Sequence, residues 1–173
     1  MRRKFKINRL IQPDLVYGSS KVANFINRVM KQGKKSLARQ LVYNSFTEIK
    51  KLTKSEPLEV FETALKNVGP HTELKSRRVG GANYQIPHEV DPRRRLTLAM
   101  RWILTATRAK TGRSFDRRLA EELIAASKNE GEAVKKKETI HKMAEANRAF
   151  AHFARSNNPR PAVGGVRPVS VAR

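Results

Sequence analysis

Thr72-Glu73-Leu74-Lys75-Ser76-Arg77-Arg78-Val79-Gly80-Gly81-Ala82-Asn83-Tyr84-Gln85-Ile86-Pro87-His88-Glu89-Val90 breaks a chain that otherwise repeats with helical spacing. Tyr84, Ile86, His88 and Val90 recur at every second position, and Leu74 alternates with charged neighbours, as strands require. Gly80-Gly81 supplies the positive φ angles of a tight reversal. The stretch therefore predicts a β-hairpin over about 72–90. Pro87 has no N–H for a ladder, so its strand needs a free edge there. A lone two-stranded ribbon is marginal in water. One that carries Arg77 and Arg78 beside its turn is expected to be a finger offered to a partner.

Outward from the ribbon, six segments read as helices. In the first, Val22, Phe25, Ile26, Val29 and Met30 share a face; Ser19 or Ser20 can cap it and Gly33 can end it. The second has a stripe of Leu37, Leu41, Ser45, Ile49 and Leu52. The third opens at Ser55-Glu56-Pro57, carries Leu58, Phe61, Leu65 and Val68, and stops at Gly69-Pro70. The fourth begins at Asp91-Pro92, with Asp as cap and Leu96, Met100, Ile103 and Thr107 on one face. The fifth starts near Ser114 with Leu119, Leu123 and Ala126. The sixth follows Gly131 and is expected to run to about Arg155, on a seam of Ala133, Ile140, Ala144, Ala151 and Ala154 with Met143, Phe150 and Phe153 alongside. The predicted fold is mainly α: a six-helix, bundle-like domain over 1–155 with one protruding β-hairpin between helices 3 and 4. A basic N-terminal arm covers about 1–12. A basic, Pro/Gly-rich tail covers 156–173, where Pro159, Pro161, Gly164, Gly165 and Pro168 accompany Arg160, Arg167 and Arg173 with no acid.

The charge is lopsided. The 173 residues hold 37 Lys and Arg against 15 Asp and Glu, a formal net charge of +22, with a hydrophobic share of 39%. Self-repulsion of that size opposes compaction, and a polyanionic partner is its simplest compensation. There is no cysteine, so neither a disulfide framework nor a thiolate metal site is possible. No apolar run approaches the roughly 20 residues of a membrane span. The basic start, Met1 to Arg9, has no long apolar stretch behind it and does not read as a secretory signal.

Arg93, Arg94 and Arg95 fall in the first turn of the fourth helix, where they oppose the positive end of its dipole. A bound phosphate would favour them there. With Arg77 and Arg78 they suggest a clamp on a nucleic-acid backbone, since Arg meets phosphate bidentately; a solvated charge run is the plainer alternative. Arg101, Trp102 and Arg108 share that helix, with Trp102 read as a core anchor or, alternatively, a surface for base stacking. Tyr84 is a second stacking candidate that could instead pack across the ribbon. Lys135, Lys136 and Lys137, with His141, Lys142 and Arg148, give the sixth helix a basic exterior, and Lys34-Lys35 adds a basic corner between the first two helices.

Catalytic patterns are lacking. His141 and His152 on one helix would rise about 16 Å apart, too far to share a metal. His71, His88, Asp14, Asp91 and Asp116 are scattered, no carboxylate cluster suggests two-metal chemistry, and no nucleotide-loop fingerprint appears. No cofactor and no small-molecule substrate are expected. A non-catalytic RNA-binding scaffold fits best. A DNA-architectural protein, an RNA-processing enzyme and a peripheral membrane protein remain as rivals.

Several motifs also carry a family resemblance. Gln12-Pro13-Asp14-Leu15-Val16-Tyr17-Gly18, then Phe25-Ile26-Asn27 and Gly33-Lys34-Lys35, resemble the opening of bacterial-type ribosomal protein seven of the small subunit. Ser76 to Pro87 resembles the hairpin of that family. Arg101-Trp102, Ala133-Val134-Lys135-Lys136-Lys137 and Met143 to His152 resemble its later helices, so the likeness runs in order over about residues 2–155. Many bacterial members end soon after an aromatic-Arg-Trp sequence, whereas Phe153-Ala154-Arg155 is followed here by 18 further residues. The resemblance implies a structural constituent of the small ribosomal subunit: a primary binder of 16S-type rRNA that nucleates assembly of the head (the 3′ major domain) and lies near the exit-site tRNA and the mRNA path in translation. It implies contact with ribosomal protein eleven of the small subunit and other head proteins, and a place in cytoplasmic or organellar ribosomes, with no membrane role. Carried over by position, the rRNA-facing set is Arg2, Arg3, Lys4, Lys6, Lys34, Lys35, Arg77, Arg78, Arg94, Arg95, Arg101, Lys135, Lys136, Lys142 and Arg148. Gly80, Gly81, Ala82, Asn83 and Tyr84 would approach the exit-site tRNA and mRNA.

Overall fold

The computed structural model describes residues 12–152. In chain order these form α1 (Ser20–Val29), α2 (Lys35–Thr53), α3 (Pro57–Val68), β1 (Thr72–Val79), β2 (Ala82–Glu89), α4 (Pro92–Ala109), α5 (Phe115–Ser127) and α6 (Glu132–Ala146), followed by a 3-10 turn, Arg148–Ala151. The architecture is the mainly α one expected, with one antiparallel ribbon between α3 and α4.

The core forms around α5, which touches α2, α3, α4 and α6. Leu119, Ala120, Leu123 and Ala126 are fully buried on it. Alanine at two of those positions suits a helix with neighbours on several sides, because the side chains at a contact set how closely helices approach. Aromatic rings tie the other elements together. Tyr17 meets Phe46 at 5.1 Å, Phe46 meets Phe61 at 5.6 Å, and Phe61 meets Phe25 at 5.2 Å between centroids. Such pairs add about 0.5–1.5 kcal/mol each beyond their buried area. Ahead of α1, the buried Asp14 carboxylate fixes the chain: it accepts from the Val16 and Tyr17 amides, both at 3.3 Å, and from the Tyr43 hydroxyl at 2.8 Å. Trp102 is buried in the main core, so its anchoring role holds.

Three expectations change. In α2 the buried face is Ala38, Val42, Ser45, Phe46 and Ile49, while Leu37 and Leu52 are half or more exposed. The helix is turned by about one position, because Phe46 and Val42 offer a better core face than the two terminal leucines. Second, α6 ends at Ala146, and the expected end near Arg155 lies outside the described residues. The 3-10 turn that follows rests against β2, and Phe150 there meets Tyr84 at 5.1 Å. Ala151 is exposed, and Phe153, Ala154 and the 156–173 tail lie outside the described residues. Third, Ser19, Asp91 and Ser114 occupy the helix-start positions expected of caps, but none makes a capping hydrogen bond with its side chain.

The ribbon has a two-residue turn, with φ +57° at Gly80 and +92° at Gly81 and Val79 opposite Ala82. That geometry explains the glycine pair. The Val90 amide donates to the His71 carbonyl at 3.0 Å. Hydrogen-bonded and non-hydrogen-bonded pairs alternate along an antiparallel ladder. Counting from that pair, Leu74 and Pro87 form a non-hydrogen-bonded one, and the missing Pro87 donor costs the ladder nothing. The ribbon is more than a free finger. Ile86 is fully buried and both strands touch α6.

Candidate nucleic-acid interface

Seven residues make nearly two helical turns, so Arg94, Arg101 and Arg108 lie along one line on α4, about 21 Å from first to last. From α1, Arg28 faces that line: its Nη2 donates to the Thr97 hydroxyl at 3.1 Å. Burial lowers the Arg28 pKa, and Arg101 and Arg94 lower it further by repulsion. Like charges are thus held together at the α1–α4 seam.

Three hollows follow this seam. The first, about 320 Å3, has Lys21, Arg28 and Arg93 around Leu96, Thr97 and Met100. The second, about 250 Å3, lies between Arg28, Arg101 and Arg108. The third, about 470 Å3, has Lys31, Lys34, Arg108 and Arg118 over an apolar floor. Arg28 is common to the first two, and Arg108 to the last two. No Asp or Glu lines any of the three. Hollows elsewhere differ: Glu48 and Glu121 line one at the α2–α5 junction, and Glu89 and Glu145 line one between ribbon and α6. Lys21 is paired with Glu62 at 2.6 Å and Arg94 with Glu73, so Arg28, Arg101 and Arg108, in a channel of hollows that no acid lines, are the cations that suit a chain of phosphates.

The sequence-derived residues separate into two kinds. Lys34 and Lys35 are exposed at the start of α2, Arg101 is exposed in the middle of α4, and Lys136, Lys142 and Arg148 are exposed on α6 and its following turn. Arg78 is exposed on β1, opposite Asn83, while Arg77 lies opposite Tyr84. Consecutive strand residues point to opposite faces, so the two arginines address the two sides of the ribbon. Gly80 to Asn83 are exposed at the tip, and Tyr84 is half-buried against Phe150.

Other cations also serve the fold. Arg94 Nε pairs with Glu73 at 3.1 Å, and Lys75 with the same carboxylate at 3.3 Å. Burial pushes the Glu73 carboxyl up, but the two cations outweigh it and hold it below its ordinary range. Arg95 Nε donates to the Gly69 carbonyl at 3.2 Å, satisfying the C-terminal end of α3. Gly69 has no side chain for this reason, since a Cβ there would stand 2.8 Å from Arg95 Nε. Lys137 likewise donates to the Asn67 carbonyl at 2.7 Å, and Lys135 pairs with Glu132 at 2.9 Å. The α6 lysines line none of the three hollows. Arg2, Arg3, Lys4 and Lys6 lie outside the described residues.

Sequence reasoning missed Lys21, Arg28, Lys31 and Arg118 in this channel. The seven-residue spacing of Arg94, Arg101 and Arg108 was visible. That Arg28 meets them depends on α1 packing against α4, which no local pattern announces. Among the described residues no cluster of His, Asp or Glu could hold a metal, and no helix is long and apolar enough to cross a membrane.

The profile of the family described as ribosomal protein S7p/S5e matches residues 1–148. Small ribosomal subunit protein uS7 of Thermotoga maritima is 56% identical over 153 residues, spanning 88% of this chain and 99% of the relative. The uS7 proteins of Moorella thermoacetica and of Streptococcus equi subsp. zooepidemicus are 56% and 52% identical, each over 84% of this chain and 93% of their own length.

Proposed function

Because the chain belongs to the ribosomal protein S7p/S5e family, and so is a structural, non-enzymatic constituent of the small ribosomal subunit, we propose that it is a primary binder of 16S-type rRNA that organises the head of that subunit. The acid-free channel along α1 and α4 carries this reading. Its cations displace counterions from folded RNA while a rigid helical body fixes their spacing. On this reading the channel and the Lys34–Lys35 corner hold the RNA backbone, and the arm with Arg2, Arg3, Lys4 and Lys6 extends the contact. The exposed Lys135, Lys136, Lys142 and Arg148 form a further basic surface. The ribbon tip, Gly80 to Tyr84, approaches the exit-site tRNA and the mRNA path. Ribosomal protein eleven of the small subunit, at the platform, is the expected protein neighbour.

Filter binding to a transcript of the rRNA head domain, across a salt series, tests the proposal. With about 4–8 phosphates engaged, log K should fall against log salt with a slope of about −3 to −7. Duplex DNA and heparin should compete poorly. Equal affinity for heparin, or for duplex DNA, would overturn the reading and favour non-specific or DNA-architectural binding.

A further inference from the structure

We propose that the third hollow, at the end of the channel where α1, α2, α4 and α5 meet, receives one unstacked nucleotide of the bound RNA. The inference rests on the rRNA-binding reading and adds a base-holding pocket to it. Phosphate contacts alone would need only cations, yet this hollow has a floor of Val29, Ala38, Leu41 and Phe115 beside Leu37. Leu37 is 50% exposed. A large apolar side chain left open at the mouth of a concave, cation-rimmed site is suited to a planar apolar ligand that carries negative charge. A nucleotide has both properties.

Three further features favour a nucleotide over an acidic peptide. The hollow's 470 Å3 falls within the range typical of small-ligand pockets. Arg108 is shared with the neighbouring hollow, so a strand whose phosphates follow Arg101 and Arg108 arrives at this mouth without leaving the cationic line. Arg108 is itself held in place, with Nη2 donating to the Val29 carbonyl at 3.4 Å. Finally, Arg118 donates through Nη1 to the Lys110 carbonyl, but its buried Nε has no acceptor among the described residues. Arg118 lines the hollow, and the rest of its guanidinium fork can donate to a base carbonyl or ring nitrogen entering there. Base stacking or apolar cover then comes from Phe115 and Leu37, and charge neutralisation from Lys31 and Lys34.

Two measurements on the full chain test this. The first uses the neutral variants Leu37→Asn and Phe115→Leu. They leave the charge intact, so rRNA affinity should fall on the order of tenfold while the salt slope stays the same. Unchanged affinity in Leu37→Asn, whose exposed position keeps folding out of the result, overturns the pocket and leaves the rRNA-binding reading standing. Failure of the wild-type chain to prefer rRNA defeats that reading instead. The second places a benzophenone-bearing residue at position 37 and irradiates reconstituted small subunits. An adduct with rRNA supports the proposal. An adduct with another protein, or none, overturns it.

Discussion

On the proposed reading, Arg101→Ala separates the charge that binds RNA from the charge that serves the fold. Arg101 is exposed in the middle of α4 and lies in the second hollow between Arg28 and Arg108. Its side chain makes no hydrogen bond or ion pair among the described residues. Its presence lowers the pKa of Arg28 by repulsion. Removing it should not weaken the protein: Ala is the better helix former, and one like-charge contact disappears. The melting temperature should stay within about 2 °C of wild type, or rise. Binding should respond differently. One charge-assisted phosphate contact is worth about 1.5–3 kcal/mol, so affinity for head-domain rRNA should fall at least tenfold, and the salt slope should shrink by about 1. Arg95→Ala removes the same charge from the same helix with the opposite balance. It leaves the Gly69 carbonyl without its 3.2 Å donor, which should cost about 1–2 kcal/mol and lower the melting temperature by about 2–8 °C. Filter binding over a salt series and scanning calorimetry on both variants give the answer. The division fails if Arg101→Ala keeps the wild-type slope, or if Arg95→Ala loses binding without losing stability.

Two other perturbations probe the scaffold. Glu122 is fully buried; its Oε1 accepts from the Ala133 amide at 3.0 Å and its Oε2 lies 2.6 Å from Lys110 Nζ. Glu122→Ala strands both partners and should cost about 3 kcal/mol, or about 6–12 °C in melting temperature, while Glu122→Gln, which keeps an acceptor for Ala133, should cost about half as much; calorimetry showing less than 2 °C for the alanine variant would count against this carboxylate as the joint between α5 and α6. His141 Nε2 accepts from the His71 amide at 3.2 Å, and burial, then Lys137, His71 and Arg95, lower its pKa. The unfolded chain therefore binds that proton more readily than the folded one, and stability should fall as pH drops through the ordinary imidazole range near about 6.5. The protection factor of the His71 amide, its exchange rate corrected for the intrinsic pH dependence, should fall over the same range in wild type and stay constant in His141→Gln.

Much of this fold was legible because its signals are local. Gly80-Gly81 between alternating residues dictates a two-residue turn, Pro57 and Pro92 mark helix starts, and Leu119, Leu123 and Ala126 lie where their spacing put them. What was not legible depends on partners distant in sequence. Leu37 and Leu41 fit the α2 stripe as well as Val42 does, and only the position of Phe61 and Tyr17 around Phe46 decides which face turns inward. The end of α6 is similar: nothing in Asn147-Arg148-Ala149-Phe150 forbids a helix, but the ribbon offers Phe150 a partner in Tyr84. The candidate site divides in the same way. Runs of basic residues were plain in the sequence, whereas Arg95 and Lys137 have α3 carbonyls as acceptors that only the folded chain brings to them.

That division bears on how a chain of net charge +22 can bind selectively. If affinity came from total charge, any polyanion would serve and the placement of individual arginines would be immaterial. The described residues instead use Glu73 to hold Arg94 and α3 carbonyls to hold Arg95 and Lys137. At the α1–α4 seam, by contrast, Arg28 and Arg101 are kept close enough to repel each other, with no acid lining the hollows beside them. Folding gains one Arg28–Thr97 hydrogen bond from that arrangement against the repulsion, and a phosphate between the two guanidiniums would relieve the repulsion. On the proposed reading the repulsion is directed: a phosphate line whose shape follows α4 would relieve it, and a flexible polyanion, which must first be ordered to reach the same geometry, would do so far less. On that reading, rigid spacing of like charges turns a general attraction into a preference for folded RNA.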